Sequence, residues 1–388
     1  MDLVDLFGGH FMSPVPDPYP VYAGLRRDQP VMLIELPMGP GYLIVRYQDV
    51  YTILSDADRF SSRANAKGIG LLMGRTILEM DGAAHRRHRN IIAPAFLPKA
   101  MTGDLPVIVG AMAHQLLDVI AADGAADLVA QFTKTLPLRV IAHIIGVPIA
   151  DFDEFEKWAS AIIGFTDDPA AGFAAAEALV GFLRPIMERR RVEPCADLMS
   201  TLVHAEVDGE RLTDEEVFSF LRLLLPAGAE TTYRLIGNTL FALLTHPEQL
   251  EEVRADRALL DRAIEESLRW EAPVQYAARE ANQPVVLSGS EIPPGAQLLV
   301  ALGSANRDER RYDDPRRFDL HRNAGDHLAF GFGPHFCAGA HLARLEARIA
   351  IGAVLARLPN LHLDPSPPCG VVGLAFRSPD RVPVRFGA

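Results

Sequence analysis

The chain has 388 residues, of which 49% are hydrophobic and 23% charged, with a formal net charge of −12 at pH 7. That length usually makes two domains, but no linker, repeat or composition break divides it, so the expectation is one domain over residues 1–388 with a sizeable core. The acidic balance argues against nucleic acid as a partner. No apolar run of membrane-spanning length stands out, the start Met1-Asp2-Leu3-Val4-Asp5 is unlike a signal peptide, and Cys195, Cys337 and Cys369 lie too far apart for a disulfide framework or a zinc knuckle. Together these point to a cytoplasmic monomer with no membrane contact.

Residues 1–30 are Pro-rich and turn helical from Tyr19 to Arg27. Val31–Leu36 and Tyr42–Val45 read as two strands around a Pro-Gly turn, and Gln48–Ser55 as a short helix. Between 63 and 80 the periodicity is lost in an apolar, Gly-containing run, Gly68 to Gly74. This is either a mobile lid over an apolar pocket or a surface loop with buried anchors. In the basic stretch Asp81 to Arg89, His85 and Arg89 are four apart and share one helix face. Two cationic donors on one face suit a pair of carboxylates; a solvated basic helix is the plainer reading. Residues 105–190 form Ala- and Leu-rich helical segments with candidate ends at Pro106, Pro137, Pro148 and Pro169, and no recognisable chemistry of their own.

Asp214 to Thr245 is too evenly apolar for a surface helix and reads as a long buried one. Inside it sit Pro226, Gly228, Glu230, Thr231 and Thr232. Pro226 should bend it, and Thr231 can bond the carbonyl of Ala227. In Asp261–Arg269, Glu266 and Arg269 are three apart and can pair. Arg279 precedes the strand Val285–Leu287 and the turn Ile292 to Gly295. Then comes Phe330-Gly331-Phe332-Gly333-Pro334-His335-Phe336-Cys337-Ala338-Gly339, running into a helix over His341–Arg357. Cys337 therefore sits at a helix N-terminus, where free N–H groups and the helix dipole favour the metal-binding thiolate. Gly331 and Gly333 permit a close backbone approach to a flat ligand. A dinucleotide loop is rejected, because Phe336 stands where the third glycine would be. Leu361–Leu363 and Val382–Phe386 read as strands flanking a pocket loop, Gly373 to Phe376.

Phe330, Gly333, Cys337 and Gly339 stand at the spacing of the haem-binding signature of the cytochromes P450, with His335 in place of the usual basic residue. Ala227-Gly228-Ala229-Glu230-Thr231-Thr232 resembles that family's oxygen-binding helix motif, and Glu266-x-x-Arg269 its third signature. Asp17-Pro18-Tyr19-Pro20, Arg59-Phe60-Ser61-Ser62 and Ala305-Asn306-Arg307-Asp308 are similar to flanking segments of soluble bacterial members.

The resemblance implies a mainly α fold with small β-sheets and a long central helix over haem b, iron protoporphyrin IX. It implies Cys337 as the metal ligand, and His85, Arg89, Arg279 and His335 as partners of the haem propionates. Phe330, Gly331, Gly339 and Ala227 would border the haem. Thr231 and Glu230 would be catalytic in proton delivery. Glu266 and Arg269 would be a structural pair completed by Arg317 or Arg322. Leu72, Leu224, Ala227, Tyr276, Ala277 and Phe376 would line a substrate pocket under the region Phe152 to Arg190.

The function implied is a haem-thiolate monooxygenase that places one atom of dioxygen in a small apolar substrate. No reductase-like segment follows Cys337, so the electrons would come from ferredoxin and ferredoxin reductase. Arg86, Arg87, Arg89, Arg344 and Arg348 would form a basic docking patch for the ferredoxin. The alternatives are a peroxide-using or rearranging enzyme of the same fold, or a haem-thiolate ligand sensor without turnover. Glu230-Thr231 counts against both, since neither needs a proton relay for dioxygen.

Overall fold

The computed structural model describes the chain except residues 37–38, 149–151, 367 and 388. Its first part is mixed. Helix α1 (Leu3–Phe7) starts in a capping box between Asp2 and Asp5, and α2 (Tyr19–Asp28) follows. Strands β1 (Val31–Leu36) and β2 (Gly39–Ile44) pair antiparallel, with Glu35 opposite Pro40. Pro40-Gly41 is thus part of a strand, and the connection at residues 37–38 lies outside the described residues. Helix α3 (Tyr47–Ser55) and β3 (Phe60–Ser61) complete this part.

A helical region comes next. Helix α4 (Gly70–Met73) is a single turn in the Gly-containing run, and α5 (Gly82–Phe96) carries the basic stretch. Then come α6 (Leu105–Ile120), β4 (Ala125–Asp127), α7 (Thr135–Ile145), α8 (Phe152–Ile163), α9 (Pro169–Val192) and α10 (Leu198–His204). By length and apolarity alone, α9 has the makings of a membrane span: it has 24 residues, and its most apolar stretch has mean hydropathy 1.3. The fold instead packs Leu179, Leu183, Ile186 and Met187 of α9 into the main core. A small hairpin, β5 (Glu206–Val207) with β6 (Glu210–Arg211), precedes the longest helix.

Helix α11 (Asp214–Thr245) has 32 residues and opens in a second capping box, Thr213 with Glu216, over an acidic first turn that suits its dipole. Apolar residues cover it on all sides, which is the mark of a helix inside the core. It stays helical on both sides of Pro226. Helices α12 (Pro247–Ala255) and α13 (Leu260–Trp270) lead to strands β7 (Tyr276–Ala281), β8 (Val285–Leu287), β9 (Ser290–Ile292) and β10 (Gln297–Ala301). A short α14 (Leu302–Ala305) and a long irregular segment then reach α15 (Ala340–Arg357), before β11 (His362–Leu363), β12 (Val371–Val372), β13 (Ser378–Pro379) and β14 (Pro383–Arg385). The largest sheet has the order β1-β2-β10-β7-β3, and β11-β14-β4 form a second. The main apolar cluster lies among α5 to α13 and α15. Two smaller clusters lie on the faces of the large sheet.

Among the buried carboxyl groups of the described residues, one stands without a partner. Glu346 on α15 is fully buried, and neither of its carboxyl oxygens has a hydrogen-bond partner. Burial raises its pKa well above the ordinary 4.5, so the folded protein holds it neutral. The unfolded chain releases this proton above about pH 4.5 and the folded one does not. The contribution is therefore complete at low pH and is lost as pH rises, by up to about 1.4 kcal/mol per pH unit. Glu346→Gln should remove that slope. Its urea midpoint should match the wild type near pH 4 and exceed it increasingly towards pH 8. Midpoints that run parallel at every pH would contradict the assignment.

Candidate active site

The loop before α15 is built around two glycines with left-handed backbone, Gly331 at φ 70° and Gly333 at φ 71°. At Gly333 a Cβ would lie 2.5 Å from the carbonyl oxygen of Leu54 at the end of α3, so no other residue fits. The Cys337 N–H donates to the carbonyl of Phe330 at 2.9 Å, which folds the loop back on itself. Cys337 stands two residues before Gly339, the residue that caps α15. Its side chain is accessible. The expectation that the helix terminus favours the thiolate needs correction. Burial raises the thiol pKa, and the Gly339 N–H, Arg89 and Arg344 only partly oppose it. A bound metal cation would remove the proton, because thiolate is the ligating form.

Four basic side chains converge beside Cys337. His85 and Arg89 come from α5, Arg279 from β7 and His335 from the loop. The rings of His85 and His335 lie 4.0 Å apart, and the Nε2 atoms of both are buried without a hydrogen-bond partner. Arg279 is buried and donates to the carbonyl of Ala278 at 2.8 Å. Among the described residues, Asp81 is the one carboxylate that bears on His85, Arg279 and His335. It is 3.7 Å from His335, too far for a hydrogen bond, and is held by Ser61 and the Ser62 N–H. Burial lowers Arg279 to about 10. Burial and the neighbouring cations lower His335 to about 3. Such a cluster is short of negative charge and of hydrogen-bond acceptors, and so suits a ligand carrying carboxylates. A groove of about 1090 Å³, lined by Ser61, Arg63, Asp81, His85, Arg89 and His335 among others, joins it to the surface.

On α11, Ala227 is exposed although its neighbours Pro226 and Leu225 are buried, so this turn also borders a cavity. The Thr231 hydroxyl donates to the Ala227 carbonyl at 2.8 Å, as its position in the helix implies. Glu230 faces elsewhere. Its carboxylate accepts from Ser160 of α8 at 3.2 Å and from Arg234 at 3.4 Å. Arg234 in turn donates to Ser378 at 3.0 Å and covers the rings of Tyr233 and Phe376. Of the expected pocket residues, Leu72 and Leu224 are buried in the main core, and the Arg222 guanidinium reaches the Leu72 carbonyl at 3.5 Å. The Tyr276 hydroxyl bonds Tyr22 and its ring meets Phe11 edge-on, so its polar end is tied into the N-terminal cluster. Ala277 packs on the large sheet.

Glu266 and Arg269 are both fully buried and paired at two points, 2.7 and 2.8 Å. Arg322 is the third member, with Nε 3.2 Å from Glu266 Oε1. Arg317 contributes only its carbonyl, to Arg269. The expected basic docking patch is largely neutralised. Arg344 pairs with Glu265, Arg348 with Asp261 and Arg87 with Asp208. Arg89 donates to the Phe336 carbonyl at 2.5 Å. Sequence reasoning missed Asp81, Ser160, Arg234 and Glu265. Asp81 carries a local sign, an Asp at the start of a helix, but its partners come from elsewhere in the fold.

Residues 171–366 match the family model described as Cytochrome P450. The chain is 42% identical over 361 residues to the cytochrome P450 monooxygenase PikC of Streptomyces venezuelae, covering 90% of this chain and 86% of that one. It is 37% identical to the vitamin D(3) 25-hydroxylase of Pseudonocardia autotrophica, covering 99% and 96%. The crystal structure of P450BioI in complex with hexadec-9Z-enoic acid ligated Acyl Carrier Protein superposes with a TM-score of 0.87 at 33% identity, over 96% of this chain and 99% of that one.

The buried Glu266 pair supplies a stability test. Glu266→Ala leaves Arg269 and Arg322 without their carboxylate in the interior and should lower the unfolding free energy by about 3–5 kcal/mol. Chemical denaturation measures this, and a loss near zero would contradict the structural role.

Proposed function

Since this chain belongs to the cytochrome P450 family and is therefore an oxidoreductase, we propose that it is a haem-thiolate monooxygenase acting on a small apolar substrate. The observation that carries this reading is the accessible Cys337 beside four basic groups, two of them with buried ring nitrogens that lack partners. A haem offers what that cluster lacks: a metal for the sulfur and two carboxylates for the cations. The chain has no Cys-x-x-Cys-His sequence for covalent attachment, which supports haem b.

The bound haem would supply oxygen activation, with the Cys337 thiolate as its electron-donating ligand. His85, Arg89, Arg279 and His335 would hold the two carboxylates. Phe330, Gly331, Gly339 and Ala227 would border the haem. Thr231, whose hydroxyl proton is held on the Ala227 carbonyl at 2.8 Å, would take part in proton delivery by releasing that bond. Glu230, held by Arg234 and Ser160 on another side of the helix, would take part in proton delivery only after leaving those partners. The vitamin D(3) hydroxylase among the relatives supports an apolar substrate for this chain too. We further propose that residues 1–388 work as one domain and one cytoplasmic monomer, with electrons from a ferredoxin and its reductase.

Replacing Cys337 by His tests the ligand. The red-shifted Soret band of the reduced carbon monoxide complex should appear in the wild type and vanish in Cys337→His, and its survival would refute the assignment. Thr231→Ala tests the proton path. Haem and substrate binding should persist, while product formed per reducing equivalent falls roughly 100-fold, at the low end of what a positioned proton donor contributes. Unchanged coupling would remove Thr231 from the mechanism.

A further inference from the structure

Glu265 and Glu266 are neighbours on α13 and hold different parts of the chain. Glu266 takes Arg269 and Arg322, as described. Glu265 takes Arg344 of α15 at two points, Nε to Oε1 at 2.6 Å and Nη2 to Oε2 at 2.9 Å. It also meets His327 Nε2 at 3.2 Å. The Ala329 N–H donates to His327 Nδ1 at 3.2 Å, so that nitrogen is the acceptor and the ring proton sits on Nε2, aimed at Glu265. Both partners of Glu265 then close on one ring. The Arg344 guanidinium lies 4.6 Å over Phe330, and the His327 ring is 5.8 Å from it. Phe330 is the residue whose carbonyl accepts the Cys337 N–H at 2.9 Å.

We propose that Glu265 is a positioning residue: through Arg344 and His327 it clamps Phe330, and so fixes the backbone that aims the Cys337 sulfur at the group it ligates. The proposal rests on the haem-thiolate reading above. It also gives Arg344 a role other than docking. Its side chain is 28% exposed and that of Glu265 27%, and the paired fork and the ring leave little of either free for a partner. Burial alone would raise the Glu265 pKa, but the hydrogen bonds from Arg344 and His327 bring it down to about 2. The clamp therefore keeps its full strength above the usual carboxylate range and weakens only as pH falls towards 2. The division of work is also mechanical. Glu266 secures the segment leading to the loop, and Glu265 secures the loop at the residue bonded to Cys337. Groups that orient a metal ligand in this way matter to the metal site without touching it.

The test compares the haem-loaded wild type with Glu265→Ala, Arg344→Gln and Arg348→Gln. Arg348 lies on the same helix and pairs with Asp261, so it reports the loss of an ordinary surface ion pair. In Glu265→Ala and Arg344→Gln, part of the red-shifted band of the reduced carbon monoxide complex should give way to that of a form without thiolate ligation. Transfer of haem to a scavenging protein should quicken roughly 10- to 100-fold, with helical circular dichroism unchanged. Arg348→Gln should behave as wild type. Arg344→Gln, at a partly exposed site, keeps the test decisive should Glu265→Ala fail to fold. Wild-type spectra and haem retention in Arg344→Gln, or equal losses in Arg348→Gln, would overturn the proposal. A wild type that never shows the red-shifted band would instead overturn the haem-thiolate reading on which it rests.

Discussion

The segment from Asn306 to Gly339 has hardly any regular structure, yet it carries the reactive sulfur, and the buried pair Glu266–Arg269 is what makes it a definite shape. A loop of that length is uncommon unless something holds it, and its inner backbone groups must find partners. Arg269 alone accounts for three carbonyls, those of Asn306, Pro315 and Arg317. Glu266 accepts the Asp319 N–H and the Arg322 guanidinium besides. The Asn306 side chain accepts the Leu328 N–H at 2.7 Å. The side chains of one helix thus do for this segment what a ladder of backbone bonds does for a strand. A buried ion pair need not add net stability over apolar residues of the same size. What it supplies here is a fixed geometry for a stretch with none of its own.

The site is organised by a charge imbalance. The protein as a whole is acidic, with net charge −12, but the interior beside Cys337 gathers His85, Arg89, Arg279 and His335 around a single carboxylate, Asp81. Burial penalises the charged form of His85, His335 and Arg279, and at His85 and His335 the neighbouring cations add to that penalty, so all three pKa values are lowered. A ligand with two carboxylates relieves it. Asp81 is held by Ser61 and the Ser62 N–H, away from the His85 and His335 nitrogens.

Features set by short spacings were legible in the sequence. The Cys337 loop, His85 with Arg89, and Glu266 with Arg269 each depend on residues within about a helical turn or a tight loop. The long helix Asp214–Thr245 announced itself by its even apolarity. What needed the structure lies between segments far apart in the chain. Nothing near Glu266 distinguishes Arg322 from Arg317, because the choice depends on how the intervening loop folds. Glu230 looked like a companion of Thr231, but adjacent helical residues point about 100° apart, and Glu230 turns to Ser160, 70 residues earlier. The basic surface expected around Arg344 and Arg348 was read from one helix. Its carboxylates, Glu265 and Asp261, sit on another. Tyr276 shows the same limit, since only the packing of the N-terminal segment reveals Tyr22 as its partner.

Cys337 is proposed to ligate a metal held beside the basic groups His85, Arg89, Arg279 and His335. X-ray absorption at the iron edge of the purified protein tests it most directly. The spectrum should show a single sulfur scatterer in the first shell of a porphyrin-bound iron, lost in Cys337→Ser and kept in Cys195→Ser and Cys369→Ser. An iron with only nitrogen and oxygen neighbours, or a sulfur signal that survives the loss of Cys337, would contradict it.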